Sequence, residues 1–343
     1  MKALHFLEHG GLEKLQFGEV ETPKPAPGEV LVKVHAAALN RLDLWVLGGW
    51  KGLELGMPHI GGSDVAGEIA ELGAGVSEFE LGARVVLCPG IKGAEDEFTK
   101  RGEDSLSPDY KILGEQVPGG FAEFICVPKE NIFEIPDNRS YANACAPLLV
   151  GLTAWRMLKQ QAPVQKGDTV VIVGSGGGLN SFTVQLAASF GAKVIALTST
   201  EDKEEKSLAL GAHLAINYKR KPEWGKEVLR VTEGKGAEVV VDNVGQASFP
   251  QSLIAVKRGG SIVTVGNTSG PMLSIDNRHI FTKQIKIVGS TMGSAEDFRH
   301  LLTHLWADNL KAVVDEVIPL KDGKTGYEKL LAGEQFGKVV LTP

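Results

Sequence analysis

The sequence predicts an α/β protein of two domains, one built on a doubly wound parallel sheet and the other mostly β and barrel-like. Three observations carry this. Short β-like runs separated by glycine turns fill residues 1–130. Six strand-like runs then alternate with helical segments between Thr169 and Gly289. A glycine-rich turn, Gly174-Ser175-Gly176-Gly177-Gly178, joins the first of these strands to its helix.

The first part opens with a strand over 1–6. Pro25-Ala26-Pro27-Gly28-Glu29 is a turn, and Val30–Val34 the strand after it. Val65–Leu72, Gly82–Leu87 and Gly119–Val127 continue the series. Helical spacing takes over from Tyr141 to Leu158. The alternating strands follow at Thr169–Val173, Lys193–Leu197, Leu214–Ile216, Glu238–Asp242, Ser261–Val265 and Ile285–Gly289. Their helices fall near Leu179–Phe190, Asp202–Leu210, Glu223–Thr232 and Ser248–Val256. A helix at Ala295–Asn309 and a strand at Lys338–Leu341 end the chain.

Composition narrows the function. The 343 residues are enough for two cores, and a net charge of −6 lacks the basic footprint of a nucleic-acid binder. No apolar run is long enough to span a membrane. The start lacks a signal-peptide layout, so a cytoplasmic location is expected. Cys88, Cys126 and Cys145 are too few and too scattered for a disulfide framework and read as small buried hydrophobes.

The glycine-rich turn points to a dinucleotide. Glycine lets the backbone approach a pyrophosphate, and amides at a helix N-terminus donate to phosphate oxygens. Ser175, Gly176, Gly177, Gly178 and Leu179 are the candidate contacts. Aligning this helix with those of resembling dinucleotide-binding proteins puts Asn180 where the third glycine of the fingerprint usually sits. The second strand ends at Thr198, where an NAD-selective site has a carboxylate for the ribose hydroxyls. With that carboxylate absent, Ser199 and Lys203 can meet a 2′-phosphate, although Lys203 equally fits a solvated helix lysine. The reading is NADP(H) in preference to NAD(H). Val244, Gly266 and Asn267 end the fourth and fifth strands, as cofactor contacts or as ordinary loop residues.

The whole chain resembles the medium-chain dehydrogenase/reductases, which include zinc alcohol dehydrogenases and zinc-free, zeta-crystallin-like quinone oxidoreductases. The resemblance rests on Ala37-Ala38-Leu39-Asn40-Arg41-Leu42-Asp43, on Gly61-Gly62-Ser63-Asp64-Val65-Ala66-Gly67 and on the Gly174–Gly178 turn. It implies a GroES-like catalytic domain over 1–145 and 292–343 and a Rossmann domain over 146–291. It adds Tyr218 and Thr153 to the cofactor contacts, and Lys338 near the pyrophosphate with Asp64 as its partner. It also places Asn40, Ser63 and Ala146 where a catalytic zinc would have its ligands. Gly93, Asp96, Thr99 and Ser107 stand where a structural zinc would have four cysteines. An amide, a hydroxyl and a methyl do not hold Zn²⁺, and the acidic loop Gly90–Tyr110 reads as solvated rather than as a cation site. No zinc is therefore expected.

A nicotinamide site without a metal can still pass hydride to a quinone or to an alkene conjugated with a carbonyl. Asn40 would face the nicotinamide or the substrate oxygen and Ser63 would add a hydroxyl, with Asp43 behind them. Trp45, Trp50 and Leu53 serve equally as walls of an apolar pocket or as core. The expected function is thus an NADPH-dependent quinone or enone oxidoreductase. An alcohol or aldehyde dehydrogenase and a non-catalytic cofactor-binding protein are the alternatives. The partner is a small molecule. The sixth strand is expected at a sheet edge that pairs two copies into a homodimer, or a tetramer of two dimers, unless Lys283 and Lys286 guard that edge.

Overall fold

The computed structural model describes all 343 residues, which form two compact units. One comprises 1–152, 293–306 and 312–343; the other comprises 153–292 and 307–311. No helix is long and apolar enough to cross a membrane.

The second unit is built on six parallel strands: Thr169–Val173, Lys193–Thr198, Leu214–Asn217, Ala237–Asp242, Val256–Thr264 and Lys286–Gly289. Their spatial order is third, second, first, fourth, fifth, sixth. The chain reverses its winding between the first and fourth strands, the place where such sheets receive ligands. Val171, Val173, Ile195, Leu197 and Val240 pack one core with Phe249 and Leu253 of the helix Phe249–Ala255. The fifth strand starts five residues earlier than its sequence suggests, because Val256 pairs with Ala237 across a bulge.

The sixth strand lies at the sheet edge, with Ile287 41% exposed. Lys283 does not guard it. Its ammonium turns inward and donates to the carbonyls of Leu253, Ile254 and Val256 at 2.8, 2.9 and 3.0 Å. It thereby satisfies the end of the Phe249–Ala255 helix, where a cation also suits the dipole.

The first unit centres on the strand Glu29–Ala38. Asp64–Leu72 pairs along one side of it, and Phe124–Pro128 and Lys338–Thr342 pair with it as well. Val30, Val32, Val34, Ile69, Val85 and Phe121 fill its core. The Gly119–Val127 strand begins only at Phe124, since the amides of 119–121 bond to the Ile60–Gly62 turn instead. Helical spacing over Tyr141–Leu158 is also interrupted. Helices run Tyr141–Cys145 and Leu148–Arg156, with Pro147 between them and a wider turn at Met157–Gln161.

The loop Gly90–Tyr110 is held by its own side chains. Asp96 accepts from the amides of Phe98 and Thr99, at 2.9 and 2.7 Å. Buried Asp104 accepts from Ala295 N at 3.0 Å, and the Tyr110 hydroxyl donates to Gly293 O at 3.1 Å. Asp104 thus meets the first turn of the Ala295–Trp306 helix, where a carboxylate suits the dipole.

Candidate active site

In the first unit, strand register assembles a buried polar cluster. Ala38 pairs with Asp64 on one side and with Val340 on the other. Carrying the antiparallel register two residues further sets Asn40 against Lys338. Asn40 then begins the helix Arg41–Gly48. The Lys338 ammonium donates to Asn40 Oδ1 and, at 2.7 Å, to Asp64 Oδ2. Asn40 Nδ2 donates to Asp64 Oδ2 at 2.9 Å. Asp64 Oδ1 accepts from Leu149 N at 2.6 Å. Lys338 is 4% exposed and Asp64 0%, so charge and countercharge face each other out of water.

Asp43 lies beside this cluster. Its Oδ2 accepts from Asn40 N at 2.7 Å and its Oδ1 from Gly62 N at 2.9 Å. It ties the start of the helix to the Gly61–Gly62 turn. Gly62 has φ +98°, and a Cβ there would lie 2.7 Å from the Phe121 ring. Burial pushes the Asp43 carboxyl up to about 7, against the pull of those two amides and of the Lys338 ammonium. Ser63 is fully buried, and its hydroxyl has no hydrogen-bond partner.

Asn40, expected to face the nicotinamide or the substrate oxygen, has its amide held at both ends by Lys338 and Asp64. The Lys338 ammonium, expected near a pyrophosphate, is held by Asn40 and Asp64 within this unit. The pairing of Lys338 with Asp64 is present. Ser63 is the member of this group with a donor left over. Cys145 does not supplement it, because burial, with the charge of Asp64 nearby, holds its thiol well above the usual range. No three His, Cys, Asp or Glu residues converge as a metal-binding group. Trp45 and Trp50 are 39% and 44% exposed, so neither is core.

In the second unit, the candidate contacts lie at the carboxyl ends of the strands. Gly174 adopts φ +78° and turns the chain into the Gly178–Ser189 helix. Gly177 offers that helix no side-chain cap, so its first amides are open to an anion. Ser175 is fully buried, and its hydroxyl bonds to Ser207 Oγ at 2.8 Å and Leu197 O at 3.3 Å. Its side chain holds the turn, leaving only backbone for a ligand. The Lys203 side chain lies over Gly176; a Cβ there would sit 2.9 Å from Lys203 Cδ.

Thr198 is buried with an unpartnered Oγ1. Its carbonyl accepts from Tyr218 N at 2.9 Å, which brings Tyr218 to the same rim. Ser199 follows Thr198 and is partly exposed. Thr200 caps the next helix, Glu201–Ala209, through Lys203 N, and Glu201 and Asp202 lie in its first turn. Arg220, which sequence reading passed over, pairs with Glu201 at 2.5 Å and with Glu204. Thr153 sits on the Leu148–Arg156 helix with its hydroxyl 4.0 Å from the Met292 sulfur. Gly266 and Asn267 follow the fifth strand, and Val244 the fourth. The open helix terminus, the left-handed glycine and the orphaned Thr198 hydroxyl fit a dinucleotide. The Gly178–Leu179 turn would hold its phosphates, and Thr198 its adenosine ribose.

The parallel sheet with its open, glycine-led helix terminus is the arrangement of a dinucleotide-binding protein. The alcohol dehydrogenase GroES-like domain matches residues 26–137, and the zinc-binding dehydrogenase family matches 178–307. A zinc-type alcohol dehydrogenase-like protein of Schizosaccharomyces pombe is 32% identical, over 99% of each chain. An acryloyl-coenzyme A reductase of Metallosphaera sedula is 31% identical, over 94% of this chain and 95% of its own. The crystal structure of an NAD-dependent alcohol dehydrogenase is 39% identical and superposes with a TM-score of 0.96, over 100% of both chains. The chain belongs to the medium-chain dehydrogenase/reductase superfamily. It is an enzyme of the oxidoreductase class, with a GroES-like domain and a Rossmann sheet.

Proposed function

We propose that this chain is a zinc-independent, NADPH-dependent oxidoreductase that reduces quinones or alkenes conjugated with a carbonyl. The observation that carries the proposal is the Lys338 ammonium on Asn40 Oδ1. At the position where relatives in the superfamily place a metal ligand, an amide is already occupied by a resident cation. A zinc ion beside it would meet like charge, an amide, a hydroxyl and no thiolate, which is a poor donor set. These residues do not fit zinc.

The cofactor, when bound, supplies the hydride. The chain's own part is to meet the negative charge that then moves onto the substrate oxygen. Ser63 has the hydroxyl free to donate to it, and the Lys338 charge, fixed by Asp64, favours its formation. A conjugated carbonyl spreads that charge over several atoms, so modest donors suffice. A simple aldehyde lacks this relief and would need a Lewis acid. The acryloyl-coenzyme A reductase among the relatives acts, by its name, on an alkene of this conjugated kind.

NADPH is favoured over NADH because Thr198 carries no charge to repel a 2′-phosphate, while Ser199, Lys203 and Tyr218 lie around the same rim. An alcohol dehydrogenase is the second reading, on the strength of the 39% identical neighbour. Steady-state assays separate the two. NADPH with 1,4-benzoquinone or 2-cyclohexenone should turn over, and NAD⁺ with primary alcohols should not. Turnover confined to the alcohols would overturn the proposal.

We also propose a homodimer, or a tetramer of such dimers, through the edge strand Lys286–Gly289. Exposed Ile287 and unpaired backbone groups template antiparallel pairing with a second copy. Met272 and Phe281 of the same unit are 75% and 62% exposed, apolar area that association would cover. Light scattering at micromolar concentration should give at least twice the 36.6 kDa chain mass. A monomer mass would refute the pairing.

A further inference from the structure

Two asparagines join the ends of three strands in the nucleotide-binding unit. Asn180 stands in the first turns of the Gly178–Ser189 helix, and Asn243 follows the fourth strand. Both are buried, at 6% and 9% exposure. Asn180 Nδ2 donates to Val173 O, the last carbonyl of the first strand, at 2.6 Å. Asn180 Oδ1 accepts from Asn243 Nδ2 at 2.9 Å. Asn243 Oδ1 accepts from Val265 N, just past the fifth strand, at 2.9 Å.

The polarity of this chain is forced. A backbone N–H can only donate, so Asn243 must present oxygen to Val265 and nitrogen to Asn180. A backbone carbonyl can only accept, so Asn180 must present nitrogen to Val173 and oxygen to Asn243. Neither amide can flip without setting like against like at two contacts. Further bonds tie the same turns. Thr268 Oγ1 donates to Asn243 O at 3.3 Å, and Ser269 N to Val244 O at 2.8 Å. The turns so joined carry Gly176–Leu179, Val244 and Gly266–Asn267, the candidate contacts for phosphates and nicotinamide.

We infer that Asn180 and Asn243 are positioning residues for the dinucleotide: their amide bridge fixes the spacing of the turns after the first, fourth and fifth strands. Asn180 replaces the third glycine of the fingerprint, a glycine that serves close helix–strand packing. Here a side chain spans that junction, so the rim is held by hydrogen bonds. Losing one amide leaves the other buried and half-paired, and the turns are then free to shift before the cofactor arrives. The inference rests on cofactor binding at this rim, not on the choice between NADPH and NADH.

Calorimetric titration of the full-length protein with NADPH and with NADH tests it, on Asn180→Gly, Asn180→Asp, Asn243→Ser and the double variant Asn180→Gly/Asn243→Ser. Asn180→Asp keeps the shape but turns an acceptor toward Val173 O, so it probes the bridge without opening a cavity. Each single change should raise Kd for both cofactors by about tenfold, because a buried hydrogen-bonded partner is lost. The double variant should be little weaker than the singles, because either change already breaks the bridge. The loss should appear in KM for the cofactor more than in kcat. Kd within twofold of the parent for folded Asn180→Gly and Asn180→Asp would overturn the inference, as would single effects that multiply in the double variant. A parent that binds NADH as well as NADPH would overturn the cofactor preference and leave this inference standing.

Discussion

Lys338→Met should lose both stability and turnover. The ammonium is enclosed between Asn40 Oδ1 and Asp64 Oδ2, and Asp64 is fully buried. Removing the cation leaves Asp64 with the Leu149 amide and the Asn40 Nδ2 as donors, and no countercharge. Stranding one partner of a buried ion pair costs about 3–5 kcal/mol, which urea unfolding would read. Asn40 also loses the contact that fixes its amide. Asp43 loses a cation that now draws its carboxyl down, so its pKa should climb further above about 7. The double variant Lys338→Met/Asp64→Asn removes both charges and should be more stable than Lys338→Met alone. Turnover distinguishes the two roles read for Lys338. A cluster residue lowers kcat at saturating cofactor by roughly an order of magnitude or more, as loss of transition-state stabilisation does. A pyrophosphate contact would instead raise Kd for NADPH with kcat nearly intact. Lys338→Arg keeps the charge and should retain more activity than Lys338→Met.

Thr198→Asp should reverse the choice of cofactor. Thr198 ends the second strand, with Asn217 of the third strand beside it in register and Tyr218 one residue beyond. A carboxylate there can accept from the ribose hydroxyls of NADH and repels the 2′-phosphate of NADPH. Hydrogen bonds to a charged group contribute about 1.5–3 kcal/mol, so the ratio of the two Kd values should move roughly 10- to 100-fold toward NADH. The readout is the ratio, measured on parent and variant under one salt condition. A parent that already prefers NADH, or a variant whose ratio does not move, would count against the reading of this rim.

Much of the nucleotide-binding unit was legible in the sequence. Its inner strands Thr169–Val173, Lys193–Thr198 and Ala237–Asp242 are near-continuous apolar runs because both faces are buried, and each is followed by a separate helical segment. The parts that escaped have physical reasons. The helix Asn277–Lys283 is too short to show a helical period, and its only strong signal is the cap from Asp276 to Arg278 N. Gly323–Ala332 opens on one glycine and contains Gly326, which weakens any helical reading. Gly326 is there because a Cβ would come within 2.7 Å of Leu39 Cδ1. Val314–Pro319, with Asp315 and Glu316 adjacent and a terminal proline, lacks the alternation of a half-buried strand, and it pairs with Lys338–Thr342.

The polar cluster was legible as a set of residue types and not as a geometry. Asn40, Asp64 and Lys338 are scattered along the chain, and only the pairing of Ala38 with both Asp64 and Val340 brings them together. Asn40 could be recognised as a substituted ligand position. That its amide is held at both ends depends on rotamers no spacing reveals. Asn243 was hidden for the same reason: an asparagine after a strand looks like any turn residue until its partners are seen.

The most direct test of metal-free hydride transfer is to strip the purified protein with a strong chelator, quantify bound zinc by elemental analysis and assay NADPH with 2-cyclohexenone or benzoquinone before and after. A lysine ammonium standing on Asn40 and Asp64 predicts well under one zinc per chain and a rate that chelation does not change. One zinc per chain, with activity that falls on its removal and returns when zinc is added back, would contradict it.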